Sequence, residues 1–427
     1  MKNDVSRETL VAFVSEVLGG SEIGDALSSV LSIPSAKHAW GEVATGQNVL
    51  PEVQVYVHLL VVVHLLAAGE SEACVGAARA LEAYVTSLNR FTVVPLAAKM
   101  YYYLARAYEA AGDIGGCRGL LLAAVRRAAL RAEDDVAAVA INALLRSYLA
   151  RSQYDQAHKL VMNTTFPASV SSNQVARYHY YMGRIAAVQL KYADAHTFLS
   201  EALRKAPQHT GHGFRAAIHK VHTVVYLLRG ELPVKATFRS ALFASTLEPY
   251  LELTKAVRVG DLKAFQAVLE THGSVFETDR VASLIARLRQ NVLRTGLRKI
   301  NLAYSRISLD AIAQKLGLGE RADVEFIVAK AIRDGVMDAA VDAESGVVTT
   351  NDVPDVYATY APLDELGTRI AFCLKIHDDA VRAMRYPDDG KKKNPGASAA
   401  DDEDEISDMD LVEELLEEDD DEPMDEL

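Results

Sequence analysis

The sequence is poor in cysteine, in tryptophan and in the short motifs of known enzymes. Its 427 residues include three cysteines, Cys74, Cys117 and Cys373, which are too few and too far apart for a disulfide framework or a CxxC pair. The chain lacks a glycine-rich phosphate loop, an HExxH or GxSxG motif and a Cys/His cluster at zinc-finger spacing. We therefore predict a protein of a reducing compartment that is not an enzyme and holds no cofactor or metal.

A basic surface that could attract nucleic acid is also missing. The formal net charge is −13, and residues 388–427 contribute 19 acidic side chains against three lysines. The 387 preceding residues are therefore nearly neutral, and the acidity belongs to the C-terminal segment. Dense like charge with few large hydrophobic residues predicts that residues 388–427 form a disordered acidic tail.

Export and membrane segments are not evident either. Met1–Leu10 is polar and charged and lacks the apolar core of a secretory signal. The longest apolar run, Val53–Ala68, is short for a bilayer and contains Gln54 and two histidines. We predict that this run is a buried helix and that the protein makes no membrane contact. Residues 1–50 form a weakly specified N-terminal segment.

Residues 51–290 have the pattern of a helical repeat. Apolar residues make up 50% of the chain, and in this region they form helix-length segments separated by short turns. A turn residue, a polar residue and an apolar residue recur at these turns: Gly112-Asp113-Ile114, Ser152-Gln153-Tyr154, Leu190-Lys191-Tyr192, Gly230-Glu231-Leu232 and Gly260-Asp261-Leu262. Since a pair of helices can bury its apolar face only against a neighbouring pair, this recurrence predicts an irregular, TPR-like solenoid. We expect Gly112, Gly230 and Gly260 to end helices in left-handed or turn conformations.

Residues 291–360 have the pattern of a winged helix. Asn291–Ala303, Ser308–Gly317 and Ala322–Asp334 are predicted helices, with Ser308 as an N-cap and glycines as helix stops. Val336–Val341 and Val347–Thr350 flank a turn and predict a β-hairpin. The third helix of such a domain can enter a DNA groove, but Arg321–Asp334 holds three basic and three acidic residues. This balance favours packing against protein over binding to duplex DNA.

One further helix is predicted within residues 361–387. Its apolar side follows a heptad spacing, widened by further hydrophobic residues, and such a helix at the end of a closed domain needs a partner. We predict that partners bind Leu363, Leu366, Ile370, Cys373, Leu374, His377, Val381 and Met384. The histidine among them could also sense pH, although a hydrogen-bonded interface role is the simpler interpretation.

Four histidines form two HxxH pairs: His209, His212, His219 and His222. HxxH on a helix places two imidazoles on one face, where a transition metal could bind. A set of histidines alone, with no cysteine or carboxylate beside it, is unusual for zinc. We therefore interpret these residues as polar surface or helix-packing side chains.

Several stretches resemble a known family. The arrangement of a helical repeat followed by a winged helix resembles the PCI module of the proteasome lid, the signalosome and a translation initiation factor. Arg177–Ala195, Ala202–Thr210, Leu293–Leu318 and Glu325–Ala339 resemble the regulatory subunit 3 family, which are non-ATPase lid subunits of the 26S proteasome.

The resemblance implies a non-catalytic scaffold of the cytoplasm and nucleus that acts in ubiquitin-dependent degradation. Winged helices of such subunits associate edge to edge, and their C-terminal helices gather in a bundle. It also implies contact with other lid subunits and with a small acidic disordered one, for which Arg126, Arg127 and Arg131 are candidates. The alternative is a nucleic-acid-associated PCI subunit of an mRNA export, signalosome or translation initiation complex.

Overall fold

In a computed structural model, the fold is described for residues 14, 50–88, 90–167, 169–208, 210–240, 242–317, 321–342, 344–351, 357 and 360–384. The acidic tail, His209 and nearly all of the N-terminal segment lie outside these residues. The chain divides into two compact units, Met1–Val353 and Pro354–Leu427.

Two layers of helices make up the repeat region. From residue 51 to 303 the described helices are α1 (Pro51–Ala68), α2 (Ser71–Ser87), α3 (Val94–Ala110), α4 (Arg118–Arg131), α5 (Asp134–Ala150), α6 (Tyr154–Asn163), α7 (Ser172–Val188), α8 (Tyr192–Lys205), α9 (His212–Arg229), α10 (Lys235–Arg239), α11 (Ala244–Val259), α12 (Leu262–Thr278) and α13 (Ala282–Ala303). Odd-numbered helices pack on one another in sequence, and each even-numbered helix from α2 to α12 packs on a flanking odd-numbered one. The arrangement is the predicted solenoid.

The turns between helices share one backbone conformation. At the five recurring turns, the first residues have φ of +80° (Gly112), +56° (Ser152), +70° (Leu190), +89° (Gly230) and +76° (Gly260). After three of these residues, the next amide donates to the carbonyl five residues earlier, as from Gln153 to Tyr148 at 2.9 Å. This bond defines a Schellman helix end at Ser152, Leu190 and Gly230. The positive φ values of Gly112, Gly230 and Gly260 confirm the prediction for the three glycines.

Two apolar cores run through the solenoid and share a helix. The first contains buried residues from Val14 to Ile185, and the second runs from Ala176 to Val292. Helix α7 contributes to both, with Tyr181 and Ile185 in the first core and Ala186 in the second. Each helix pair thus buries its apolar face only against its neighbours, as a solenoid requires.

Helix α1 contains the apolar run singled out in the sequence. It is the one described helix that is long and apolar enough to cross a membrane. Seven of its residues are buried in the protein: Val55, Val57, His58, Leu59, Val61, Val62 and Leu65. Desolvation lowers the pKa of His58 to about 4. The helix packs on α2 and α3, in agreement with the predicted buried helix.

A small three-stranded domain follows the solenoid. Its elements are β1 (Arg306–Ser308), α14 (Leu309–Leu316), α15 (Arg321–Arg333), β2 (Ala339–Asp342) and β3 (Val347–Thr350). The antiparallel sheet has the order β1-β3-β2, with Val348 opposite both Ile307 and Val341. Ser308 Oγ accepts from the amide of Ala311 at 3.3 Å and caps α14. Together with the end of α13, these elements form the predicted winged helix.

Two element starts differ from the prediction by more than two residues, and one strand was not predicted. Helix α13 begins at Ala282, nine residues before the predicted start at Asn291, so one helix serves both the solenoid and the winged helix. Strand β2 begins at Ala339 because the amide of Val336 instead donates to the carbonyl of Ala331 and completes the end of α15. Strand β1 was not predicted, since three residues are too few to display a periodic pattern.

The second unit contains one described helix, α16 (Ala361–Met384). It lies within residues 361–387, where one helix was predicted.

Candidate interaction surfaces

Helix α16 carries large apolar side chains that are exposed to solvent. The exposed fractions are 64% for Leu363, 55% for Leu366, 58% for Ile370, 60% for Leu374 and 72% for Met384. Single exposed leucines are ordinary, but a row of them along one helix is typical of a surface that binds another protein.

The other predicted positions of α16 are also accessible. Cys373 is exposed, Val381 is half-buried, and His377 places Nδ1 3.6 Å from the Asp378 carboxylate on the surface. Phe372 and Ile376, outside the heptad row, are exposed as well. The apolar surface therefore extends around more than one side of the helix.

The winged helix presents a mixed surface on α15. The winged helix has an apolar core of its own, in which Val324, Val328 and Ala331 of α15 are buried at helical spacing. Phe326 lies two residues after Val324, hence on the opposite side of the helix, and is 75% exposed. Sequence reasoning missed this residue, although its position outside the buried spacing was a usable signal.

The basic charge of α15 is partly neutralised within the protein. Asp334 accepts from Arg294 at 3.1 Å and from Arg333 at 3.4 Å. Desolvation opposes ionisation of Asp334, but the hydrogen bonds and charges of the two arginines outweigh it and lower its pKa. An exposed phenylalanine on a helix whose terminal arginine is already paired suits a protein surface better than a phosphate backbone.

The three arginines predicted to bind an acidic partner differ in their surroundings. Arg127 is turned inward, with Nη2 3.7 Å from the Glu82 carboxylate and hydrogen-bonded to the Tyr101 hydroxyl. Arg131 lies 3.7 Å from Glu133, whereas Arg126 is exposed and forms no ion pair with a described residue. Of the three, Arg126 is therefore the one whose charge is available to a partner.

The histidines of α9 are not arranged around a metal site. Among the described residues, no three His, Cys, Asp or Glu side chains lie close enough to hold a metal ion. Nε2 of His222 is 3.1 Å from Nδ1 of His196 on α8, and the two rings stack with centroids 5.0 Å apart. Desolvation, with the charges of His196, His219 and Arg229, lowers the pKa of His222 to about 3. The HxxH spacing in the sequence suggested His219 as the neighbour of His222, whereas the structure places His196 there.

Comparisons with known proteins agree with this architecture. A family described as "PSMD3-like, N-terminal TPR repeats" matches residues 1–254, and "PCI domain" matches residues 269–352. A family of C-terminal regions of a proteasome regulatory subunit matches residues 355–422, which include α16. The chain belongs to the 26S proteasome regulatory subunit 3 family.

Relatives in three groups of eukaryotes support this membership. The chain is 45% identical over 342 residues to "26S proteasome non-ATPase regulatory subunit 3" of Dictyostelium discoideum, covering 80% of this chain and 68% of the relative. It is 45% identical over 370 residues to the probable subunit 3 of Anopheles stephensi, covering 87% and 74%. It is 41% identical over 348 residues to "Probable 26S proteasome regulatory subunit rpn3" of Schizosaccharomyces pombe, covering 81% and 70%. The predicted resemblance to the subunit 3 family and the predicted fold class are both confirmed.

Proposed function

We propose that the chain is a non-catalytic scaffold subunit of the 26S proteasome regulatory particle lid and acts in ubiquitin-dependent protein degradation. Membership of the subunit 3 family supports this role, since the relatives are named as regulatory, non-ATPase proteasome subunits. The combination of TPR-like repeats and a PCI domain is that of a protein whose surfaces bind other proteins. We assign the protein to the cytoplasm and nucleus, where it would meet the other lid subunits.

The observation that carries the proposal is the exposed apolar surface of α16. Helices that are apolar on so much of their surface are stable in water only when they pack against others. We assign Leu363, Leu366, Ile370, Cys373, Leu374, His377, Val381 and Met384 to a helical bundle with other lid subunits. Burying one leucine or isoleucine of this set would contribute about 1.5–3 kcal/mol.

The winged helix provides a second interface in this proposal. Among the described strands, β1 and β2 are the two edges of the sheet, and each pairs with β3. An exposed edge can pair with a neighbouring subunit, and the apolar ring of Phe326 would be buried by such a neighbour. For a small acidic disordered subunit, we retain Arg126 as the candidate residue and give Arg127 and Arg131 an intramolecular role.

The decisive experiment replaces Ile370 and Leu374 by Asp in the full chain. We expect the isolated protein to melt as before, because both side chains are already exposed, but to lose co-purification with other lid components. The control is Thr368→Asp with Arg382→Gln, which changes the net charge by the same amount at two exposed positions of α16 outside the assigned set and should leave co-purification intact. Assembly that survives the apolar substitutions, or a lowered melting temperature, would contradict the bundle.

A further inference from the structure

A cavity of about 730 Å³ lies along the layer of odd-numbered helices in the solenoid. Side chains of α3, α5, α7 and α9 and the turn between α12 and α13 line it. That turn reaches the end of α5, where Arg280 Nη1 donates to the carbonyl of Leu149 at 3.1 Å. The volume falls within the range of roughly 300–1,000 Å³ that is usual for small-molecule sites.

Positive charge predominates in this cavity. Its carboxylates, Glu109 and Asp279, are both engaged: Glu109 lies 2.8 Å from both Arg106 and Arg146, and Lys220 lies 2.8 Å from Asp279. Three more arginines complete the charged lining, namely Arg177, Arg184 and Arg280. None of these three forms an ion pair with a carboxylate in the described part of the chain.

Two of the unpaired arginines are held in place by aromatic rings. Arg177 and Arg184 lie seven residues apart on α7, hence on one side of that helix, and both are half-buried. The Arg177 guanidinium is 5.5 Å from the centroid of the Tyr102 ring, and that of Arg184 is 5.9 Å from the centroid of Tyr180. Stacking on a ring orients a guanidinium without neutralising its charge.

Arginines that line one cavity without a carboxylate partner raise the local positive potential, and most strongly where they are half-buried, as Arg177 and Arg184 are. A ligand with a single negative charge could neutralise only one of them. Guanidinium groups match the oxygens of a phosphate, to which each can donate two parallel hydrogen bonds.

We propose that this cavity binds a small polyanion with two or more phosphate groups. Arg177 and Arg184 contact it from α7, and Arg280 contacts it from the facing turn. The volume of about 730 Å³ is that of a small-molecule site, and an acidic polypeptide is the competing ligand in the test below. This ligand site uses none of the residues assigned to the scaffold role on α16, on the winged helix or at Arg126.

Calorimetric titration of the full chain with inorganic tripolyphosphate at physiological salt tests the proposal. We expect saturable binding with one ligand per chain, and inorganic phosphate should bind far more weakly. Replacing Arg177 and Arg184 by Gln should weaken binding by about 100-fold, roughly tenfold for each guanidinium that no longer binds a phosphate. The control is Lys255→Gln with Arg258→Gln, which removes the same charge from exposed positions of α11 and should change the Kd by less than about twofold.

Melting curves of all variants show whether the fold is retained. If the double variant unfolds, Arg280→Gln tests the site instead, because a substitution of an exposed side chain in a turn should leave the fold intact. A Kd for tripolyphosphate raised by about tenfold in this variant supports the site. The proposal is overturned if the wild-type chain does not bind tripolyphosphate, or if the control variant loses binding equally. It is also overturned if a glutamate-rich peptide displaces tripolyphosphate and binds more tightly.

Discussion

Adding one methyl group at Gly296 should weaken the packing between the solenoid and the winged helix. Gly296 lies in the middle of α13, and a Cβ added there would be 2.7 Å from Cδ2 of Leu316 and 2.9 Å from the carbonyl oxygen of Gly260. Cβ atoms do not approach other heavy atoms so closely, so the neighbours would have to move. The Leu316 methyl group can rotate away, but the Gly260 carbonyl belongs to a left-handed helix end, with φ of +76°, and is fixed.

Two opposing effects determine how Gly296→Ala changes the free energy of unfolding. Alanine in a helix interior is favoured over glycine by roughly 0.5–1 kcal/mol. Overpacking of a filled site costs about 1–3 kcal/mol, and the fixed backbone oxygen places this site in the upper part of that range. We therefore expect a net loss of about 1–2 kcal/mol in the free energy of unfolding, or a Tm lowered by roughly 1–3 °C.

The control for Gly296→Ala is Gly273→Ala in α12. A Cβ at Gly273 would meet no heavy atom within 4 Å, so this variant has the helix-propensity gain alone and should melt at a higher temperature than wild type. A third variant adds Leu316→Ala to Gly296→Ala; its total cost should be smaller than the sum of the two single substitutions, because the contact with Leu316 is removed while the one with the Gly260 carbonyl remains. Thermal and urea unfolding of the purified chain measure all three. If Gly296→Ala stabilises the chain as much as Gly273→Ala does, the argument from close backbone packing is wrong.

Three further predictions concern acid stability, a helix end and nucleic acid. The pKa of His58 is about 4 in the folded chain and near 6.5 in the unfolded chain, so between these pH values the unfolded chain binds the proton more tightly. The free energy of unfolding should therefore fall by about 3 kcal/mol as the pH falls from about 6.5 to 4. His58→Leu should flatten the pH dependence of Tm in this window, and an unchanged slope would contradict the assignment. Leu190→Gly should raise the free energy of unfolding by about 0.5–1 kcal/mol, because leucine at φ of +70° is strained; a lower value in urea titration would count against this. The purified chain should not bind duplex DNA at physiological salt in a mobility-shift assay, and submicromolar binding abolished by Lys330→Glu with Arg333→Glu would overturn the protein-packing interpretation of α15.

Local features of the fold were predictable because they depend on residues close in sequence. Ser308 caps α14, Gly317 ends it in the left-handed region, and Gly230 and Gly260 end α9 and α11. Each of these requires only the side chain and backbone preference of one residue within a few positions of a helix end. The apolar row of α16 was likewise visible as a spacing, and its exposure in the structure leaves the prediction of a partner surface in place.

The sequence by itself determined the helical solenoid, the winged helix and the family, since periodicity, turn residues and local similarity specify these. Only the tertiary structure decided which distant residues meet. It pairs β1 with β3 across about 40 residues, turns Arg127 toward Glu82, stacks His222 on His196 and brings Arg177 and Arg184 into one cavity with Arg280. These pairings depend on the angle at which successive helix pairs stack. No local sequence pattern specifies this angle, because side-chain packing over the whole interface sets it.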